Sequence, residues 1–227
     1  MKETGTDSSN SIALIMRIIE RLRSETGCPW DRKQTPESVQ TYLVEESHEA
    51  AAAIRAGKVT EASEELGDVL FMVLFLVYLY EERGDFSLAE VCRHTCEKMI
   101  RRHPHVFGNV NVGSAEEVID NWEKIKADEK RVTGKVSEPV PESLPALMRA
   151  YRMLARMSNR QGEDLNDLAK QGREFANQSG EFVDGFEKTG FDHRDAVGAL
   201  LVRLVNIARL KGYRAEDVLH NFLRKIE

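Results

Sequence analysis

The hydrophobic residues of this chain recur at the three-to-four-residue spacing of α-helices, and no stretch alternates as strands do. One apolar face marks a first helix, and capping residues and glycines mark the helices that follow. The apolar face of the first helix is formed by Ile12, Ile15, Ile19 and Leu22. The later starts are predicted at Thr35–Pro36, at Thr60, at Ser87 with Glu90 and at Ser114 with Glu117, and Gly57 and Gly84 end two helices. The pattern predicts an all-α fold, a helical bundle.

The chain divides into two parts at a segment without helical periodicity. From Ala127 to Pro145 the sequence is charged and carries three prolines, which is typical of a linker. We therefore predict a first domain over residues 8–128, a linker over 129–142 and a second domain over 143–227. The second domain partly repeats the first, because Gly67–Phe71 resembles Gly198–Val202.

Charge and hydropathy exclude two classes of partner. The net charge of -6 argues against non-specific nucleic-acid binding, which needs a basic face. The longest apolar run, Val69 to Tyr80, is too short to span a bilayer and suits a buried helix. The N-terminal residues lack the apolar core of a signal peptide. We expect a cytoplasmic protein with no membrane partner.

Two pairs of acidic residues lie on either side of the turn at Gly57. Glu46 and Glu49 are three residues apart on the second predicted helix, and Glu65 and Asp68 are three apart on the third. Each pair shares a helix face. In an antiparallel hairpin that turns at Gly57, Glu46 lies opposite Asp68, and Glu49 lies opposite Glu65. The spacing therefore predicts a cluster of four carboxylates next to the most apolar segment of the chain.

A divalent cation explains why acids would gather there. Carboxylates this close repel one another and raise one another's pKa, and a cation removes that cost. Oxygen ligands favour Mg²⁺ or Mn²⁺. The alternative is a solvated acidic helix face. Glu45 could orient a ligand or act as a base. A di-iron centre needs two Glu-x-x-His motifs, and only Glu45–His48 matches, so we set that interpretation aside.

Cations and tryptophans follow at helical spacing. They are Lys98, Arg101 and Arg102 on one predicted helix, Trp122 and Lys126 on the next, and Trp30 in an early loop. Next to a bound metal, lysine and arginine suit a substrate with several phosphates, and a tryptophan could stack on its base. Singly, each has a structural explanation, since cations are common at helix C-termini and most tryptophans are core residues.

Five segments in this order resemble the MazG family of nucleoside triphosphate pyrophosphohydrolases over about residues 12 to 130. They are GCPWDRKQT, YLVEESHEA, EELGDVLF, EKMIRRHPHVFG and NWEKIKADEK. The family signature, EExxE and then ExxD, is matched by residues 45–49 and 65–68. Phosphoribosyl-ATP pyrophosphohydrolase is a related alternative, against which the two-part length and the GCPWD and RRHPHVFG motifs argue.

The resemblance implies an all-α dimer that hydrolyses an NTP or dNTP to the monophosphate and pyrophosphate, with a role in clearing the nucleotide pool. It implies Mg²⁺ held by Glu46, Glu49, Glu65 and Asp68. It also implies phosphate and nucleotide contacts by Lys98, Arg102, Trp122 and Lys126. A metal-activated water would attack the α-phosphorus, and the cations would stabilise the departing pyrophosphate. An alternative is a nucleotide-sensing module that keeps the metal site without useful turnover.

The second half departs from the family pattern. Ala196 and Ala199 stand where the first half has Glu65 and Asp68. No convincing EExxE lies upstream of them, and the nearest stretch is Arg173–Asn177. We therefore predict that the second half binds no catalytic metal and serves structure, dimerisation or regulation.

Overall fold

Helices account for the secondary structure of the protein. The computed structural model describes residues 8–133, 139–161, 163–187 and 192–226, and these residues form α-helices and two short 3₁₀ helices, with no strand among them. The all-α prediction is therefore confirmed. The chain forms two compact units, residues 1–129 and 130–227. Within the described ranges, none of the helices is both long and apolar enough to cross a membrane.

The first unit is built around a long antiparallel helical hairpin. Its helices are α1 (Ser8–Arg23), α2 (Pro36–Arg55), α3 (Val59–Arg83), α4 (Leu88–Arg102), α5 (Pro104–Phe107) and α6 (Ala115–Thr133), with a 3₁₀ turn at Asp31–Lys33. Helices α2 and α3 form the hairpin, and α1 and α4 pack on α3. The apolar run on α3 supplies most of the core, whose buried members are Ile19, Val39, Leu74, Phe75 and Leu79. Burying these side chains is the main favourable term for this unit.

Local hydrogen bonds explain where most of these helices begin. At the start of α2 the Ser38 amide donates to the Thr35 hydroxyl and the Thr35 amide donates to the Ser38 hydroxyl, forming a capping box. Ser87 and Glu90 form the predicted box at α4. The prediction that Thr60 caps α3 is wrong. That helix begins at Val59, where the Ala62 amide already donates to the Lys58 carbonyl.

Helix α6 extends into the segment that the sequence predicted to be a linker. The helix continues to Thr133, so the first residues of the segment 129–142 are helical. Residues 134–138 of that segment lie outside the described residues. Charged side chains are common on helices with one face in solvent, which explains why composition alone suggested a loop.

The second unit contains its own helical hairpin. Its helices are α7 (Ala146–Gln161), α8 (Glu163–Asn166), α9 (Leu168–Asp184), α10 (His193–Leu210) and α11 (Ala215–Leu223), with a 3₁₀ turn at Gly185–Glu187. Helices α9 and α10 form the hairpin, and α7 packs on α10. Leu154 and Val205 are buried in this unit, together with two amide side chains, Gln171 and Asn206.

Candidate metal and phosphate site

The α2–α3 hairpin brings three of the predicted carboxylates together. Only three residues separate the two helices, and Gly57 makes the turn with a φ of 69°. The helices therefore return side by side, and one carboxylate oxygen from each of Glu46, Glu49 and Glu65 lies within 4.8 Å of the other two. Two of these acids come from α2 and one from α3, so the cluster bridges the hairpin.

Burial and mutual repulsion act on Glu46. Its side chain is half-buried, and burial raises the pKa of its carboxyl above the ordinary value. The negative charges of Asp68, Glu49 and Glu45 raise this pKa further, in that order. Asp68, which lies opposite Glu46 across the hairpin, is thus the strongest charged neighbour of this carboxyl.

Glu65 shows the same behaviour from the facing helix. Burial is the largest cause of the raised pKa of its carboxyl, followed by the charges of Glu49 and Glu46. Two acids on different helices are therefore both held in a state that favours neutralisation. A proton or a cation at this point relieves the repulsion.

The remaining predicted acids border the cluster. Asp68 is exposed and does not join the three oxygens that lie within 4.8 Å of one another, although its charge acts on both Glu46 and Glu65. Glu45 is exposed beside Glu46 on α2. The structure thus brings one oxygen each of Glu46, Glu49 and Glu65 within 4.8 Å of one another and leaves Asp68 and Glu45 at the edge.

The three carboxylates fit a small divalent cation. Opposite oxygen ligands of Mg²⁺ lie about 4.2 Å apart, twice its bond length of about 2.1 Å. The observed limit of 4.8 Å is close to this value, so small side-chain rotations would close the oxygens around an ion. The donor set contains only carboxylates, which is typical of sites for Mg²⁺ or Mn²⁺.

The two predicted arginines of α4 share one acidic partner. Arg101 Nε donates to Oε1 of Glu129 at 2.7 Å, and Arg102 Nη2 donates to Oε2 of the same carboxylate at 2.7 Å. These bonds, that of Arg102 first, lower the pKa of the Glu129 carboxyl despite its partial burial. The guanidinium groups of Arg101 and Arg102 are therefore held together at one point of α6.

Trp122 and Lys126 meet on α6 beside this arginine pair. The ammonium of Lys126 lies 4.1 Å from the centre of the Trp122 ring, and the guanidinium carbon of Arg102 lies 6.0 Å from it. Lys126 also donates to the carboxylate of Glu123 at 2.8 Å. Arg101, Arg102, Trp122 and Lys126 thus form one cluster that joins the C-terminal end of α4 to α6, here called the cationic cluster.

Trp30 lies close to the helix that carries the acids. Its ring is half exposed and meets the edge of Tyr42 at a centroid distance of 5.7 Å. Tyr42 precedes Glu46 by one turn of α2, so these two residues share a helix face. The sequence analysis did not identify Tyr42. Its position one turn before Glu46 of the EExxE motif is the signal that could have identified it.

Within the described parts of the chain, no hydrogen bond or ion pair joins the cationic cluster to the carboxylates of α2 and α3. Lys98 is half-buried on α4, one turn before Arg102. Sequence reasoning also missed Glu129. Its signal was an acid on the same predicted helix as Trp122 and Lys126, at a spacing of three residues from Lys126.

The described residues form an all-α protein in which three carboxylates converge on a helical hairpin, an arrangement that could hold a divalent cation. Comparison with known proteins specifies the family. The MazG nucleotide pyrophosphohydrolase domain matches residues 34–107, which include α2, α3 and α4.

Relatives extend this similarity over nearly the whole chain. The nucleoside triphosphate pyrophosphohydrolase of Escherichia coli K12 is 34% identical over 224 residues, which cover 96% of this chain and 85% of the relative. The nucleoside triphosphate pyrophosphohydrolase/pyrophosphatase MazG of Thermotoga maritima is 37% identical over 227 residues, 99% of this chain and 84% of the relative. The solved structure of a MazG-related protein from Thermotoga maritima is 28% identical, covers 51% of this chain and 98% of that chain, and superposes with a TM-score of 0.45. This chain belongs to the MazG family.

Proposed function

We propose that this chain is a nucleoside triphosphate pyrophosphohydrolase whose active site is the α2–α3 hairpin. The observation that carries the proposal is the convergence of Glu46, Glu49 and Glu65 from two helices, in a family whose relatives bear the name of this activity. The substrate is an NTP or dNTP, and the products are the monophosphate and pyrophosphate. Clearing the nucleotide pool is the corresponding role.

Mg²⁺ is the proposed cation, with Mn²⁺ able to substitute, and Glu46, Glu49, Glu65 and Asp68 are the proposed ligands. When bound, such a cation neutralises phosphate oxygens and makes a water molecule more acidic. Glu45 lies beside the cluster and is proposed to accept a proton from the water that attacks the α-phosphorus.

The cationic cluster and Lys98 are proposed to receive the phosphates and the base. Lys98 and Arg102 stabilise the negative charge that develops on the departing pyrophosphate. Arg101 and Lys126 add positive charge, and Trp122 or Trp30 stacks on the base. Because Glu129 holds both arginines, a phosphate must compete with this carboxylate for them.

A homodimer is the proposed assembly. Helix α3 exposes an apolar stripe at i, i+4 and i+7, formed by Leu66, Leu70 and Val73. Helix α10 exposes a matching stripe, formed by Val197, Leu201 and Leu204. Repeated exposure of large apolar side chains on one helix face is typical of a protein interface. A second copy of the chain would cover these stripes.

We propose that residues 8–128 form the catalytic domain and that residues 129–142 are a linker. Residues 143–227 are proposed to form a structural or dimerisation domain without a catalytic metal. The net charge of -6 argues against a nucleic-acid partner and is compatible with a small anionic substrate held at one local site. The proposed location is the cytoplasm, because nucleoside triphosphates are found there.

A product assay tests the proposed activity. The wild-type chain is incubated with a panel of NTPs and dNTPs, with Mg²⁺ or with EDTA, and phosphorus NMR identifies the products. We expect monophosphate and pyrophosphate with Mg²⁺ and neither with EDTA. Release of nucleoside diphosphate and orthophosphate would contradict the proposed bond cleavage. Metal-dependent nucleotide binding without any product would support the sensing alternative.

A further inference from the structure

The second hairpin contains counterparts of the metal-ligand positions. Across α9 and α10, Asn206 Nδ2 donates to Gln171 Oε1 at 2.9 Å, and Arg203 Nη1 donates to Glu174. These two contacts fix which residues of the hairpin lie opposite each other. Continued toward the loop, the same register sets Gln178 opposite Ala199.

One further step toward the loop sets Glu181 opposite Ala196. With Gly198 matched to Gly67, these four positions correspond to the proposed ligands of the first hairpin, Glu46, Asp68, Glu49 and Glu65. By this register the position of the EExxE motif is Asn177–Glu181, four residues, about one helical turn, after the nearest match in the sequence, Arg173–Asn177.

These counterparts do not fit a divalent cation. Glu181 is the one carboxylate among them, because the other three are Gln178, Ala196 and Ala199. A neutral amide and two methyl groups offer neither the negative charge nor the number of oxygens that Mg²⁺ requires. The second hairpin must therefore be held together in another way.

A guanidinium group lies one turn below these positions in the second hairpin. Arg203 Nη1 donates to Gln171 Oε1 at 2.9 Å and to Oε2 of Glu174, and its Nε donates to Gln178 Oε1 at 3.4 Å. All three partners belong to α9, whereas Arg203 belongs to α10. Of these partners, Gln178 is one of the ligand counterparts, and Glu174 and Gln171 lie one and two turns further from the loop. The guanidinium therefore joins the two helices directly below the level of the missing ligands.

The layer beneath the guanidinium is also polar. Gln171 and Asn206 are 2% and 1% exposed, and their counterparts in the first hairpin, Val39 and Phe75, are both 2% exposed. Asn206 also donates to the Leu165 carbonyl at 3.1 Å and accepts from Arg209 Nε at 2.9 Å. The buried amides are thus hydrogen-bonded, as buried polar groups must be.

The polar and apolar layers occur in opposite order in the two hairpins. The first has acids near its loop above an apolar core, with Met72 at the position of Arg203. The second has alanines near its loop above a hydrogen-bonded core with a fixed positive charge. The guanidinium of Arg203 supplies the positive charge and the hydrogen-bond donors that Glu174 and the amides of α9 need, so no ion from solution is required.

We infer that Arg203 joins the two helices of the second hairpin in place of the divalent cation that joins those of the first, from one turn further from the loop. The second unit is consequently a cation-independent copy of the hairpin, and each chain binds metal only at its first unit. The comparison with the first hairpin rests on the proposed metal site there, whereas the exclusion of metal from the second unit rests on its missing carboxylates and on the contacts of Arg203.

Manganese binding by the full chain tests this inference. Both variants carry Glu49→Ala, which silences the first site, together with Gln178→Glu, Ala196→Glu and Ala199→Asp. One variant keeps Arg203, and the other adds Arg203→Met, the residue of the first hairpin. Electron paramagnetic resonance counts the bound Mn²⁺.

We expect bound Mn²⁺ only in the variant that has lost Arg203, with an affinity at least tenfold higher than in the variant that keeps it. Equal binding by the two variants would overturn the inference, because Arg203 would then not be what excludes a cation. Failure of the proposed function would appear in a separate measurement on the wild-type chain. That chain would then bind no Mn²⁺ at the first site, the site that Glu49→Ala is expected to remove.

Thermal unfolding in EDTA gives a second test that needs no metal. Arg203→Met removes the guanidinium partner of the partly buried Glu174 carboxylate and leaves Gln171 with Asn206 as its remaining donor, so we expect the unfolding midpoint to fall by roughly 5 °C or more. Arg173→Met is the matched control, because Arg173 is exposed on α9. Equal midpoints for the two variants would show that Arg203 does not hold the hairpin together.

Discussion

Glu49 and Glu65 lie at the same level on the two helices of the α2–α3 hairpin, and their carboxylate oxygens approach within 4.8 Å. Neither acid has a described ion pair with a lysine or arginine, and Glu65 has its pKa raised by burial and then by the charge of Glu49. Such an arrangement costs stability unless a cation joins the two carboxylates. The hairpin is therefore expected to respond both to pH and to divalent cations.

Replacing Glu46 by glutamine should stabilise the metal-free protein at neutral pH. The folded state raises the pKa of this carboxyl above 4.5, so the folded state binds the proton more tightly than the unfolded state. Stability therefore falls as pH rises from 4.5 through the folded pKa. In EDTA at pH 7.5, Glu46→Gln should unfold roughly 1–3 °C above wild type, and this difference should disappear as pH approaches 4.5.

Addition of Mg²⁺ should reverse the order. The cation stabilises wild type by binding its folded state, and it stabilises Glu46→Gln less because one ligand has lost its charge. Differential scanning calorimetry with and without Mg²⁺ measures both effects. A variant that is less stable than wild type in EDTA at pH 7.5 would contradict the claim of repulsion in the cluster.

Replacing Glu129 by glutamine should weaken the attachment of α6 to α4. The bonds from Arg102 and Arg101 lower the pKa of this carboxyl, so its contribution to stability is present above 4.5 and is lost as pH falls through the folded pKa. Glu129→Gln should cost about 1 kcal/mol at pH 7, measured by urea unfolding, and should cost little at acid pH.

Glu97→Gln is the control for Glu129→Gln. Glu97 pairs with Arg93 one turn away, and both side chains are more than half exposed. Such a pair is worth only about 0.3–0.5 kcal/mol. Equal losses for the two variants would mean that Glu129 does not bind the two arginines in solution.

Regular helices and the acid register were predictable from the sequence, because both depend on local spacing. The capping residues Thr35 and Ser87 and the break at Gly57 were sufficient to place α2 and α4 and to set Glu49 opposite Glu65. The start of α3 was predicted at Thr60 and lies at Val59, since the backbone of Lys58 caps that helix without a side chain. Backbone caps leave no signal in the residue types.

Contacts between distant helices were not predictable. Glu129 meets Arg101 and Arg102 from 28 and 27 residues away, and nothing in the spacing of those residues specifies that approach. The buried pair Gln171 and Asn206 is a similar case. From the sequence alone, glutamine and asparagine are expected on the surface. Their burial is explained only by the hydrogen-bond partner that each finds on the facing helix.

Replacing Leu70 by glutamate should prevent dimer formation. Leu70 is the middle residue of the exposed stripe on α3, and a charge there cannot be buried against a second copy without a large cost. Light scattering after gel filtration should give twice the mass of 25.8 kDa for wild type and the single mass for Leu70→Glu.

Val59→Glu provides the matched control for the dimer. Val59 is 82% exposed at the tip of the hairpin, outside the stripe, so the same change there should leave the dimer intact. A monomeric wild type at micromolar concentration, or a dimeric Leu70→Glu, would contradict the proposed interface.

Replacing Lys98 by alanine should reduce turnover more than binding. A cation that stabilises the departing pyrophosphate acts mainly in the transition state, and loss of one such group costs about 10²–10³-fold in kcat. Lys124→Ala is the control, because Lys124 is exposed on α6. A rise in KM with unchanged kcat would restrict Lys98 to substrate binding.

The most direct test of the central claim is pyrophosphate release from NTPs and dNTPs with Mg²⁺ by Glu49→Ala and by Glu61→Ala. Both variants remove one negative charge, but Glu49 belongs to the carboxylate cluster, whereas Glu61 pairs with Lys58 at the surface. We predict a loss of kcat/KM of about 10³-fold or more for Glu49→Ala and wild-type turnover for Glu61→Ala. Wild-type turnover by Glu49→Ala would contradict the assignment of the α2–α3 hairpin as the active site.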